Sequence, residues 1–195
     1  MPQRIRTAVI GCGKVGHFHA KAYQALDKAQ LVACYNRTLP RARAFGETYG
    51  IPAYDDIETM IAKEGVQAVS ICTPHPIHAE AAVLCAKLGV HIAVEKPLAA
   101  SLTDCDFILS AVENAGVTGT TICQRRFYPP AQRVKQAICD GKLGRPILGT
   151  VNMLGWRDMA YYRSDPWRGT WAGEGGGVLV NQAPHQLDLL LWYMG

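Results

Sequence analysis

Three groups of residues in this 195-residue chain have types and spacings that could do chemistry. The first is Gly11-Cys12-Gly13-Lys14-Val15-Gly16, set between the apolar run Ile5–Ile10 and a helical stretch from His17 to Leu26. In a G-x-G-x-x-G turn of this kind the first glycine permits a tight bend and the second lets the backbone approach a pyrophosphate. The third lets helix and strand pack closely, and the helix N-terminus adds N–H donors and positive dipole. Gly11, Gly13, Lys14, Val15 and Gly16 are therefore expected to hold a dinucleotide; the plain alternative is a glycine-rich turn with no ligand. Asn36-Arg37-Thr38 stands twenty positions after Gly16, where NAD-binding chains place an acid on the ribose 2′-hydroxyl. A carboxylate there would repel a 2′-phosphate, whereas Arg37 can pair with one. Asn36 and Arg37 thus favour NADP over NAD, unless Arg37 is only a solvated loop residue.

The second group is Glu95-Lys96-Pro97, at the end of the apolar run Val90–Glu95. Ligands of open α/β sheets bind beyond the carboxyl ends of the strands, so Lys96 falls where a nicotinamide ring would lie. A lysine partly removed from water has a movable pKa suited to proton chemistry, and Pro97 fixes the backbone that follows it. Taken alone, the tripeptide also reads as a surface lysine before a turn proline. Thr73-Pro74-His75-Pro76 ends the preceding run at the same edge and offers a rigid, cofactor-lining wall. His75 and His78 read first as packing at a helix start or as solvated residues, and so do His17, His19 and His91. The third group runs from Gly175-Gly176-Gly177 to Asn181, His185 and Asp188. Pro184 suits a first helical turn, which puts His185 and Asp188 three apart on one face, where the carboxylate can orient the imidazole. An imidazole with a pKa of about 6.5 is matched to taking a hydroxyl proton as hydride leaves carbon.

Positioning these groups is the work of alternating elements. Strand-like runs at Ile5–Ile10, Leu31–Tyr35, Ile51–Tyr54, Val66–Cys72, Val90–Glu95 and Val117–Cys123 alternate with helical segments, among them Pro76–Lys87 stopping at Gly89 and one opening at Ser101. That alternation requires crossovers, and the unbroken apolar strands require helices on both faces. The expected fold class is α/β: a Rossmann doubly wound parallel sheet followed by the start of an α/β C-terminal domain. Composition shifts after Cys123, and Ile147–Leu154 reads as a strand, so the expected division is 1–123, an NAD(P)-binding Rossmann domain, and 124–195, an incomplete substrate and catalytic domain.

A charged share of 18% lies below the usual quarter or so, which suits elements buried on both faces. A net charge of +4 is mild and scattered, giving no reason to expect nucleic acid or an anionic membrane. The longest apolar runs are too short to span a bilayer, and the short one before Gly11 is too brief for a signal-peptide core. A cytoplasmic location is expected, with the seven cysteines as reduced thiols and no metal site, since no C-x-x-C or metal-ligand spacing occurs.

The set GCGKVGHFH (11–19), TPHPIHA (73–79), EKP (95–97) and GGGVLVNQAPHQLDLL (175–190) resembles the Gfo/Idh/MocA family of nicotinamide-dependent oxidoreductases, in the family's order and over nearly the whole chain. The resemblance implies substrate binding and proton transfer by Lys96 and His185. It implies a cofactor-lining place for Thr73, Pro74, His78 and Glu95, and for Trp167-Arg168 near the cofactor. Members often carry Asp where Asn181 stands; Asn can hold a hydroxyl but cannot take its proton, so Asn181 is expected to position substrate. The implied partners are NAD(P) and a small sugar, inositol or related polyol, and the full-length protein is expected to be a homo-oligomer. An oxidise–eliminate–reduce glycosidase and a non-catalytic dinucleotide-sensing module are the alternatives. Typical members are much longer, so the chain reads as truncated, and alone it is expected to aggregate or to bind cofactor without turnover.

Overall fold

A computed structural model describes residues 4–195; residues 1–3, at the head of the first expected domain, lie outside the described residues. The chain divides into two compact units, Met1–Thr121 and Ile122–Gly195.

The first unit alternates strand and helix throughout: β1 (Ile5–Ile10), α1 (Lys14–Ala25), β2 (Ala29–Tyr35), α2 (Leu39–Tyr49), β3 (Ala53–Tyr54), α3 (Ile57–Glu64), β4 (Ala68–Ile71), α4 (His78–Lys87), β5 (His91–Glu95), α5 (Leu102–Ala115) and β6 (Gly119–Ile122). Local chemistry fixes the helix ends. The Asp56 carboxylate accepts the Thr59 N–H at the start of α3, and the Ser101 hydroxyl accepts the Asp104 N–H at the start of α5. The six strands form one sheet in the order β3-β2-β1-β4-β5-β6, with β1–β2, β1–β4, β2–β3 and β4–β5 parallel. Strand order reverses at β1, which opens the crevice between β1 and β4 where doubly wound sheets bind ligands.

Alternation along β1 serves two cores. Ala8 and Ile10 pack with Val69, Ile71, Val94 and residues of α4 and α5, while Val9 packs with Cys34, with Ala20 of α1 and with Phe45 of α2. All of these strand residues are excluded from solvent, which is why the strands read as unbroken apolar runs. Register then sets the site. Ile10 pairs with Ile71, and Ile71 with Val94. The segments that follow, Gly11, Cys72-Thr73 and Glu95-Lys96, consequently leave the sheet along one edge.

The second unit is helical: α6 (Pro129–Cys139), α7 (Met159–Arg163), α8 (Trp171–Glu174), α9 (Val178–Asn181) and α10 (Pro184–Met194). Its α6 and α10 are tied by polar clamps. The Lys135 ammonium donates to the Trp192 carbonyl at 2.6 Å, and the Tyr193 hydroxyl to the Ala131 carbonyl at 3.3 Å. The strand expected at Ile147–Leu154 does not form. Among the described residues this segment has no neighbouring strand with which to share backbone hydrogen bonds, and Ile147, Leu148 and Leu154 stay exposed. An apolar run without a partner does not make a ladder.

Candidate active site

Sterics at the β1–α1 turn leave no room for side chains at two positions. Gly11 has φ +104°, and a Cβ on it would lie 2.7 Å from the Cys72 carbonyl carbon. A Cβ on Gly16 would collide with the Gly11 carbonyl oxygen. Gly13 is the contrast, because a Cβ there would meet only open space. It is the N-cap of α1, which has no side-chain cap and no acid in its first turn, so the α1 N–H groups face outward uncompensated beside exposed Lys14 and Val15. Across the crevice the Thr73 hydroxyl oxygen is buried, with no hydrogen-bond partner among the described residues. A tight turn, bare N–H donors, open space at Gly13 and an orphaned hydroxyl fit the phosphates of a dinucleotide, and Gly11, Gly13, Lys14, Val15, Gly16 and Thr73 would hold them.

At the end of β2, the Asn36 side-chain oxygen accepts the Thr38 N–H at 3.0 Å, so this residue shapes its own loop. Arg37 is exposed. No acid occupies the position that would meet a ribose 2′-hydroxyl.

The β5 end is built differently. The Lys96–Pro97 peptide bond is cis. The Glu95 carboxylate is shared: Oε1 lies 3.0 Å from His19 Nε2, and Oε2 accepts the Lys96 backbone N–H at 3.2 Å. Burial pushes this carboxyl up, but the hydrogen bond from His19, together with Lys96, outweighs burial and holds it below the usual carboxylate range. Glu95 is thus occupied by the protein rather than turned toward a ligand. His78, expected to line the cofactor, is fully buried. Its Nε2 lies 2.8 Å from the Thr73 carbonyl and its Nδ1 3.0 Å from the Pro97 carbonyl, so it ties the β4–α4 turn to the Lys96-Pro97 turn. Burial pushes its pKa down, against the carbonyl contacts that favour the charged ring.

In the second unit, the Arg168 guanidinium packs 4.5 Å from the ring centres of both Trp167 and Tyr161. It donates to the Asp165 carboxylate at 3.0 Å and to the Tyr161 hydroxyl at 2.7 Å. Gln182 donates to the same hydroxyl at 3.0 Å. Buried Glu174 accepts from the Asn181 amide nitrogen at 2.5 Å. A carboxylate only accepts, so Glu174 fixes which end of that amide faces it. Glu174, Asn181 and Gln182 line an open cavity of about 250 Å3 with Thr170, Gly176 and Gly177. A larger hollow of about 410 Å3 lies beside Arg43, Gly46 and Glu47 on α2, lined by none of the expected site residues. Asp188, expected to orient His185, receives Arg126 on both oxygens, at 2.8 and 2.5 Å. Burial pushes the Asp188 carboxyl up, yet Arg126, with lesser help from Cys123 and His185, holds it below the ordinary range.

Lys96 therefore belongs to the first unit, and Asn181 and His185 to the second. Among the described residues no group of three His, Cys, Asp or Glu side chains is placed to hold a metal ion, and no helix is long and apolar enough to cross a membrane. The sequence assigns no site role to His19, Ser70, Tyr23, Glu174, Tyr161 or Arg126. The i, i+4 spacing of His19 and Tyr23 on α1 was a readable signal that the two share a face.

Residues 5–122 match the GFO/IDH/MocA oxidoreductase family, NAD-binding Rossmann fold, and residues 131–195 match the GFO/IDH/MocA C-terminal domain. The myo-inositol 2-dehydrogenase of Thermotoga maritima is 31% identical over 192 residues, covering 98% of this chain and 55% of that protein. The D-apiose dehydrogenase of Paraburkholderia graminis is 34% identical over 151 residues, 77% of this chain and 40% of that protein. Among solved structures, the WlbA dehydrogenase from Bordetella pertussis in complex with NADH and UDP-GlcNAcA superposes with a TM-score of 0.92 at 33% identity, covering 99% of this chain and 60% of that one. The chain spans about half the length of the curated relatives it matches.

Proposed function

The chain belongs to the GFO/IDH/MocA oxidoreductase family, and from that premise we propose that it moves hydride between a nicotinamide dinucleotide and a carbinol of a sugar, inositol or related polyol. The observation that carries this reading is the uncapped glycine turn at the sheet's switch point, with Lys96 leaving the same sheet edge. Named relatives acting on myo-inositol and D-apiose support the substrate class.

When bound, the nicotinamide supplies the hydride acceptor or donor. The chain's own groups do the rest. Gly13 and the α1 N–H groups hold the phosphates, and Thr73 gives its hydroxyl to the same ligand. The Lys96 ammonium polarises the substrate oxygen, His185 takes the hydroxyl proton during oxidation, and Asn181 holds the hydroxyl without accepting its proton. The family resemblance gives Trp167 and Arg168 a cofactor-binding role as well. NADP is favoured over NAD by Arg37 and by the missing acid at Asn36; a solved relative carrying NADH supports the nicotinamide itself, not the 2′-phosphate.

The test is a panel of inositols, sugars and sugar nucleotides with NAD+ and NADP+, followed by the absorbance of reduced nicotinamide. Turnover should fall at least about 100-fold in Lys96→Ala and in His185→Ala. Unchanged turnover in both would sink the assignment, and tighter NADH than NADPH binding would overturn the NADP preference.

A further inference from the structure

A continuous hydrogen-bonded chain runs through the first unit from α1 to the lysine turn. The Tyr23 hydroxyl lies 2.6 Å from the Ser70 hydroxyl, Ser70 lies 2.9 Å from His19 Nδ1, His19 Nε2 lies 3.0 Å from Glu95 Oε1, and Glu95 Oε2 accepts the Lys96 N–H at 3.2 Å. We propose that His19 and Glu95 are positioning residues that lock the Lys96 turn to the phosphate-binding helix through this chain. The proposal rests on the dehydrogenase reading for its catalytic meaning, though not for its structural content.

Donor and acceptor counting fixes the direction of every link. An ionised Glu95 only accepts, so His19 Nε2 carries the proton it shares with the carboxylate. With a neutral ring, Nδ1 is then an acceptor and takes the Ser70 O–H, which leaves the Ser70 oxygen to accept from Tyr23. All five groups are satisfied at once with one neutral imidazole and one carboxylate. A second proton on His19 would reverse the Ser70 link and leave one hydroxyl proton, of Ser70 or of Tyr23, with no acceptor in the chain of bonds, so the network favours a single tautomer. The Ser–His–Glu order is also that of a hydrolytic triad, but Ser70 is 1% exposed, in the body of β4, and cannot reach a substrate. Its role is to orient the ring.

His19 and the Glu95 carboxylate are each 15% exposed at the side chain, so little water competes for the contact. Around Glu95 stand His19 from α1, Lys96 from its own turn, Cys72 at the end of β4 and His78 from α4. Of these, His19 contributes most to holding the carboxyl ionised against burial. Without it, Glu95 takes a proton at higher pH and the Lys96 N–H loses a charged acceptor.

The test begins with the unaltered full chain, by nitrogen NMR of His19 and by amide exchange at Lys96. The expected result is an Nε2–H tautomer and a protected Lys96 amide; an Nδ1–H tautomer overturns the proposal without any variant. In His19→Leu, protection at Lys96 should fall about 10- to 100-fold, with core amides of β1 and β4 unchanged. In His19→Gln, which keeps a donor toward Glu95, most of it should return. In His19→Leu, protection should also be lost at a higher pH than in the unaltered chain. Unchanged Lys96 protection in His19→Leu overturns the proposal; should that variant not fold, the tautomer decides. Failure of the dehydrogenase reading would show separately, as no NADH binding by the unaltered chain.

Discussion

The two units place their functional groups by different means. In the first, backbone register does it: β1, β4 and β5 end side by side, and Gly11, Thr73 and Lys96 follow at the ends. In the second, short helices are pinned by side chains, with Arg126 on Asp188, Arg168 between two rings and Asn181 on Glu174. A sheet-end site fails through steric intrusion into packed backbone. A side-chain-pinned site fails through loss of charge or of one donor. The two regions should respond to opposite kinds of substitution.

The largest effect is expected from Gly16→Ala, which drives a methyl group into the Gly11 carbonyl oxygen. It should cost about 3 kcal/mol and abolish NADH binding, read by urea denaturation and fluorescence titration. A fully stable Gly16→Ala protein would break the claim that backbone approach builds this turn.

Next comes the second unit's ion pair. Arg126→Leu should cost about 1–2 kcal/mol, because the pair is doubly hydrogen-bonded while the Arg126 side chain is 39% exposed. Asp188→Asn should cost less, since an amide still accepts one bond. A double-mutant cycle read by Trp192 fluorescence should show coupling between the two positions. Additive effects would mean that α10 is held by its apolar contacts instead.

The smallest effect is a pH dependence in the first unit. Burial depresses the His78 pKa, so the folded chain holds a neutral ring where the unfolded chain, with an ordinary value of about 6.5, takes a proton. Stability should be full above that value and decline as pH falls below it, above the carboxylate range of Glu95. His78→Asn should flatten the decline of the melting temperature. An equal slope in the variant would assign the effect elsewhere.

The same contrast explains what the sequence disclosed. The central strands and the glycine turn were legible because a strand covered on both faces is apolar along most of its length, and because Gly11 and Gly16 have no substitute. Ile147–Leu154 looked equally strand-like, but a strand also needs a neighbour, which a local pattern cannot reveal. Contacts between distant positions were hidden for the same reason. His19 and Glu95 are 76 residues apart, and Arg126 and Asp188 are 62 apart. Nothing local said that Asp188 would also receive Arg126, 62 positions away. Asn181 reads from the sequence as a substrate-positioning amide, whereas its contact with the Glu174 carboxylate was not legible.

The most direct test of the account is an NADH titration of the unaltered chain beside Gly13→Ala, with melting curves for both. Gly13 has φ −91° and open space around its missing Cβ, so alanine fits the fold without strain. The expected outcome is saturable binding to the unaltered chain, stability within about 0.5 kcal/mol for the variant, and affinity for NADH lowered at least about 10-fold. Equal affinity in the two proteins, or no saturable binding to either, would contradict it.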